Sequence, residues 1–299
     1  MSGKLVASFF TVGEEYQALQ AADMRSVAGR CGFEAEVLDA QENAVLQIHQ
    51  LFQIIHGPAE QRPLAFLVHT RVPDGLERVA RNAAAAGIGW VLLNRTAPYM
   101  EALRREHPRL ALASVTTDHQ EIGRIAARQF RALLPNGGSV LYVEGPPETV
   151  AARTRLEAMQ GGIAGAPIEA KVVPAEWTEA SGERAIGAWL RLKTSELFRP
   201  DLVGSQNDAL ALGARKALQA HRPEWAQVPF TGCDGLPEGG QRLVKEGLLA
   251  ATIVVPSCAG AAVEQLDRAR KAGVPPSASL VIPPRSFPAV EELARSRRA

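Results

Sequence analysis

The chain has few cysteines and no long apolar run, and each scarcity excludes something. Only Cys31, Cys233 and Cys258 occur in 299 residues. They are odd in number and far apart, which argues against a disulfide framework or a metal cage. Cys31 reads as a small buried hydrophobe at a helix end. No apolar run approaches the roughly 20 residues of a membrane span. The opening "MSGKLVASFFTVG" reads as a first strand and not as the core of a signal peptide. If an export signal was removed upstream of Met1, the chain is periplasmic; if Met1 is the native start, it is cytoplasmic. The net charge is +1 with no basic block, so a nucleic-acid surface is not expected. The basic end "ELARSRRA" reads as a solvated tail.

Catalytic signatures are missing too. No strand is followed by G-x-G-x-x-G, so a dinucleotide fingerprint is absent. "VEGPPETVAAR" has a glycine after a strand, but Pro146 and Pro147 remove amides that would bind phosphate. There is no G-x-x-x-x-G-K-[ST], no G-x-S-x-G and no H-E-x-x-H. The six histidines, His49, His56, His69, His107, His119 and His221, show no tight ligand spacing. Nothing demands a cofactor or a metal, and no pattern nominates a catalytic pair.

What is present is a regular alternation. Apolar residues make up 46% and charged residues 22%, as in soluble globular proteins. The length suggests two domains. Short apolar runs such as "KLVASFF", "PLAFLVH", "GWVLLN", "SVLYVEG" and "PDLVGSQ" alternate with stretches of helical spacing. In "EYQALQAADMRSVAGRCG", Leu19, Ala22, Val27 and Ala28 lie near one face, and Gly32 supplies a stop. Strands alternating with helices predict an α/β protein of parallel sheets covered on both faces. The alternation divides near Thr117. The final helix "CAGAAVEQLDRARKAG" and strand "SLVIPP" fit a chain that crosses back to its first domain and then returns. The expected architecture is two doubly wound, Rossmann-like lobes joined by a multi-crossing hinge, with a ligand cleft between them. The first lobe comprises residues 1–117 plus 256–282, the second residues 118–255 plus 283–299. The crossings near Thr117, Val255 and Pro283 are the expected hinge.

Polar residues collect where strands hand over to helices, which is where open parallel sheets bind ligands. "VLLNRTAP" offers Asn94 and Arg95, and "VEGPPETVAARTRLEAMQG" offers Arg153 and Arg155. "SQNDALALGARKAL" offers Asn207 and Asp208, and "FTGCDGLPEGGQRLVKEGLLAATIVVP" offers Asp234. Asp118 reads as the N-cap of "HQEIGRIAARQF", and His69 as a structural histidine after the third strand. Asp208 is expected to cap its helix while Asn207 faces a ligand.

In this order and at these spacings the chain resembles type I periplasmic sugar-binding proteins of the ribose/galactose class, whose fold is also the effector domain of lac-repressor-family regulators. The resemblance covers nearly the whole chain. It is most specific from Asn207 to Leu218 and from Gly232 to Pro256. It implies a ligand set position by position. The loop after the first strand, "TVGEEYQ", contributes Tyr16 and Gln17. The family's Asp-Arg pair falls on Asn94 and Arg95, its second arginine on Arg155, and its second-domain aromatic on Trp177. Its Asn-Asp pair falls on Asn207 and Asp208, its Phe-Asp pair on Cys233 and Asp234, and its hinge glutamine on Val255. Arginine forks, an acceptor carboxylate and aromatic faces suit ring hydroxyls and the C–H face of a sugar. Asn at 94, Cys at 233, Val at 255, and Tyr16 with Gln17 in place of two aromatics depart from the family pattern. They point away from a ribose or glucose site, toward a modified or deoxy sugar or another polyol.

The implied function is a non-enzymatic, monomeric solute-binding protein that closes on its ligand and serves an ABC transporter or a chemosensor. Two alternatives stay open: a lac-repressor-type effector domain lacking its DNA-binding head, and an α/β enzyme with an unfamiliar site.

Overall fold

The computed structural model describes residues 3–71, 73–225 and 227–296. The chain divides into two compact units, Met1–Thr117 with Ser257–Ile282, and Asp118–Pro256 with Pro283–Ala299.

The first unit is wound from β1 (Lys4–Phe9), α1 (Glu15–Arg30), β2 (Glu34–Asp39), α2 (Ala44–Ile55), β3 (Ala65–His69), α3 (Glu77–Ala85), β4 (Gly89–Leu93), α4 (Tyr99–Glu106) and β5 (Leu112–Thr117). The second contains α5 (His119–Leu133), β6 (Gly138–Glu144), α6 (Val150–Ile163), β7 (Ile168–Pro174), α7 (Glu179–Leu190), α8 (Lys193–Glu196), β8 (Leu202–Ser205), α9 (Asp208–His221), β9 (Phe230–Thr231), α10 (Gly240–Lys245) and β10 (Thr252–Val254). The chain then returns to the first unit with α11 (Cys258–Ala272) and β11 (Ser279–Ile282), and ends in the second with β12 (Arg285–Phe287) and α12 (Val290–Ser296).

In the first unit the strand order is β11-β5-β4-β3-β1-β2, with every pairing parallel. Both faces of its central strands are covered, which is why they read as unbroken apolar runs. Leu5, Ala7, Phe9 and Leu67 pack under Met24 of α1 and Val263 of α11. Val6, Phe66, Val68 and Trp90 pack under Leu51, Val79 and Leu103 from α2, α3 and α4. In the second unit the order is β7-β6-β8-β9, again parallel. Leu141, Val143 and Val203 pack against Ile186 and Trp189 of α7 and Leu210 and Ala214 of α9. On the other face Phe130 of α5 meets Tyr142 edge-on, with ring centroids 5.9 Å apart.

Side-chain caps start the helices where the sequence hands over. Asn43 accepts from Val45 and Leu46, Asp118 from Glu121, Thr149 from Ala152, and Ser257 from Gly260. Gly32 takes φ 73° after α1, a turn that a side chain would strain.

Three sequence expectations change. The buried face of α1 is formed by Tyr16, Gln17, Gln20, Ala21, Met24, Val27 and Ala28, whereas Ala22 is exposed and Leu19 half-buried. Two glutamines therefore stand at core positions. The C-terminus is not a solvated tail as far as Ser296. Arg285–Phe287 pair antiparallel with β10, α12 packs on α5, and Leu293 is buried. Arg297, Arg298 and Ala299 lie outside the described residues. The sheets are not wholly parallel either, because β10 and β12 form a separate antiparallel pair.

Candidate functional site

In each unit the strand order reverses at one place, between β1 and β3 in the first and between β6 and β8 in the second. Adjacent loops there leave in opposite directions and open a crevice at the carboxyl ends of the strands.

At the first switch point, Phe9 and His69 end neighbouring strands in register. His69 is buried, and its ring lies 6.2 Å from that of Phe9. Burial, reinforced by Arg95 and Arg71, lowers its pKa to about 3, so the ring is neutral at physiological pH. Its Nδ1 has no partner. Asn94 follows β4 in the left-handed region, φ 59°, with its N–H donating to Val115 at 2.8 Å. Asparagine tolerates that conformation better than most residues. Its Oδ1 is buried without a partner, which leaves an acceptor at the strand end. Arg95 is half-buried, and its Nε donates to the Thr70 carbonyl at 2.6 Å. That bond orients the guanidinium.

Tyr16 and Gln17 turn inward. Tyr16 is buried, with its hydroxyl against the Cys258 thiol. The Gln17 amide is buried between His69, at 3.1 Å, and Gln20, at 2.8 Å. Both belong to the packed face of α1. Burial pushes the Cys258 thiol up to about 12, so it stays protonated and is no nucleophile.

The second switch point gathers more. Arg155 on α6 is buried and donates from Nη1 to the Gln206 carbonyl at 2.8 Å. Its guanidinium carbon lies 5.7 Å from the centroid of the Trp177 ring, within cation–π range. His119 Nδ1 stands 3.4 Å from Arg155 Nε. Trp177 lies directly on Gly145, where a Cβ would overlap the indole. Gln206 locks the loops, accepting from Gly145 N–H at 3.2 Å and donating to Ala152 at 3.0 Å. Glu144, at the end of β6, is buried, and burial raises its pKa. The Ser205 hydroxyl is buried without a partner. Asp234 is half-buried at φ 98°, held by its N–H to Ile253 at 3.0 Å.

The Asn207–Asp208 assignment is corrected. Asn207 is the N-cap of α9, accepting from Leu210 N–H at 2.7 Å while its Nδ2 donates to the Trp177 carbonyl at 2.9 Å. Asp208 is a buried clamp. It accepts from Gly235 N–H at 2.8 Å and from the Thr252 hydroxyl at 2.6 Å. The helix runs from Asp208, so Asp208 is already helical and its side chain is carried toward the 231–235 segment. Asn207, in extended conformation at φ −149°, is the residue whose side chain can reach back over the first turn.

Arg155, Trp177 and Asn207 therefore come together around the second unit's strand ends, with Glu144, Ser205, Gln206 and His119 unforeseen, and Asp234 stands on the segment beside β10. Each of the four unforeseen residues follows or ends an apolar run, in "VEG", "SQN" and "TDH", which was the available signal. Asn94 and Arg95 come together with His69 in the first unit. A donor fork, acceptor oxygens and an aromatic face can bind a polyhydroxyl compound. No group of three His, Cys, Asp or Glu side chains able to hold a metal occurs among the described residues.

Gly145 carries an expected result. Gly145→Ala drives a methyl group into the Trp177 indole. Overpacking of this kind costs about 1–3 kcal/mol. Urea unfolding should show that loss, and tryptophan emission should shift as the ring is displaced.

Comparison with known proteins adds the family. Residues 6–271 match the model of the periplasmic binding protein domain. The ribose import binding protein RbsB of Salmonella typhimurium is 29% identical over 249 residues, which cover 82% of this chain and 77% of that protein. The Caulobacter myo-inositol binding protein bound to myo-inositol superposes with a TM-score of 0.78 at 21% identity, covering 99% of this chain and 96% of that one. An ABC transporter periplasmic solute binding protein from Actinobacillus succinogenes with bound D-allose gives 0.81 at 17% identity, covering 98% and 100%. At these identities the two solved structures establish the fold. The chain belongs to the periplasmic binding protein family.

Proposed function

We propose that this chain is a solute-binding protein for a sugar or sugar-like polyol, delivered in the periplasm to an ABC transporter or a chemosensor. One observation carries the reading. At the second switch point a buried arginine fork lies beside an aromatic face, 5.7 Å away, with both held by backbone contacts. The fork suits vicinal hydroxyls, and the indole suits the C–H face of a ring. Asp234, Asn94 and Arg95 supply further acceptors and donors. The relatives support the same class: one is a ribose import protein, and others hold myo-inositol and D-allose. Asn94, where a carboxylate would add charge, favours a ligand with one hydroxyl fewer or modified. The protein acts as a monomer, and binding involves no chemical conversion.

The test is thermal unfolding against pentoses, hexoses, deoxysugars, inositols and other polyols. A ligand at 100 times its Kd adds about 2.7 kcal/mol. That is roughly several degrees for units of this size. The shift should fall to half or less in Arg155→Ala at the same concentration, because losing a buried charge-assisted contact worth about 1.5–3 kcal/mol leaves only about 0.3–1.3 kcal/mol of ligand stabilisation. A flat panel on protein shown by mass spectrometry to carry no co-purified ligand would overturn the reading.

A further inference from the structure

A line of buried amides runs from the start of α11 to the first switch point. The backbone N–H of Ala259 donates to Gln20 Oε1 at 3.2 Å. Gln20 Nε2 donates to Gln17 Oε1 at 2.8 Å. Gln17 Nε2 then faces His69 Nε2 at 3.1 Å. Gln17 and His69 are over nine-tenths buried, and Gln20 is wholly so.

The direction of this line is not free. A backbone N–H can only donate, so Gln20 must turn its oxygen to Ala259. Its NH₂ must then face Gln17, which has to answer with oxygen. The remaining Gln17 NH₂ donates to His69, so Nε2 must carry the lone pair. A neutral imidazole with a bare Nε2 carries its proton on Nδ1. Nδ1 is the ring nitrogen with no partner, on the last residue of β3 at the switch point.

We propose that Ala259 N–H, acting through Gln20 and Gln17, holds His69 as its Nδ1–H tautomer, so that the first unit presents a fixed N–H donor at the end of β3. Gln20 is a positioning residue in this arrangement. The consequence rests on the solute-binding reading: the donor selects a ligand oxygen that can accept and disfavours a ligand that offers only a donor there. Core glutamines, otherwise costly to bury, are then accounted for by their pairing. Gln47 steadies the same residue from α2, donating to the His69 carbonyl at 2.9 Å.

The experiment is a long-range ¹H–¹⁵N correlation spectrum of the full chain labelled at histidine nitrogen, recorded at neutral pH without added sugar. His69 is assigned by its absence in His69→Gln. Wild type should show a protonated Nδ1 and an unprotonated Nε2. An Nε2–H pattern, or a mixture, overturns the proposal. Gln20→Met keeps the length of the side chain and breaks the line, so Gln17 can turn over and the single-tautomer pattern should be lost. Val27→Ala, on the same buried face but outside the line, should leave it intact. Persistence of the wild-type pattern in Gln20→Met, or equal loss in Val27→Ala, overturns the proposal. None of these readouts needs a ligand, so failure of the sugar panel and failure of the relay are distinguishable.

Discussion

Asp208→Ala is expected to destabilise the second unit by about 3–4 kcal/mol while leaving the groups of the first unit untouched. The carboxylate closes two bonds deep in the unit, to Gly235 N–H and to the Thr252 hydroxyl. Truncation strands both donors, at about 1–3 kcal/mol each when buried. It also opens a void, because Gly232 and Gly240 lie directly against the carboxylate with no room for a Cβ. Those contacts tie the start of α9 to the 231–235 segment and to β10, so the damage is to the scaffold that carries Asp234. Asp208→Asn has the same shape but only one acceptor oxygen for two donors, so it should lose about 2 kcal/mol. Asn207→Ala should lose about 1 kcal/mol for the cap. Urea unfolding of the three variants checks the order. A loss under about 1 kcal/mol in Asp208→Ala would show that the clamp to Gly235 and Thr252 contributes little to stability.

Acid should destabilise the first unit through His69. Its pKa is lowered to about 3 in the fold, by burial first and by Arg95 and Arg71 beside it, against an ordinary value near 6.5. The sign follows from proton counts. Between these values the unfolded chain holds a proton on this ring and the folded chain does not, so stability rises with pH. The contribution is complete above about pH 6.5 and is lost as pH falls, at about 1.4 kcal/mol per unit. At pH 4 the loss is about 3 kcal/mol. His69→Gln removes the titration while keeping an amide that can pair with Gln17. The variant should be the less stable protein at pH 7.5, and the difference should shrink or reverse toward pH 4. Parallel stability curves for the two proteins would show that His69 protonates freely in the fold.

Fold and class were legible because their signals are local and repeated. Period-2 strands covered on both faces appear as unbroken apolar runs, and caps such as Asp118 sit one residue before a helix. Trp177 and Asp234 were legible as aromatic or polar residues just past apolar runs, and Arg155, inside α6, through its place in a family order. The division of labour at Asn207 and Asp208 was not. Either residue can cap, and only the turn from β8 into α9 decides which one reaches its first amides and which one is carried to Gly235 and Thr252. Gln17 and Gln20 were hidden for a similar reason. Glutamine reads as surface polarity in a helix, and its burial makes sense only when partners from β3 and α11 arrive, up to 239 residues away.

The sequence by itself therefore determined an α/β chain of alternating elements, a family likeness and the strand ends at which to look. Tertiary structure alone decided which polar groups spend their bonds inside the units and which remain unpaired at the switch points. The physical reason is that periodicity and capping are set by neighbours a few residues away, while the pairing of a buried amide or carboxylate is set by whatever the fold brings to it.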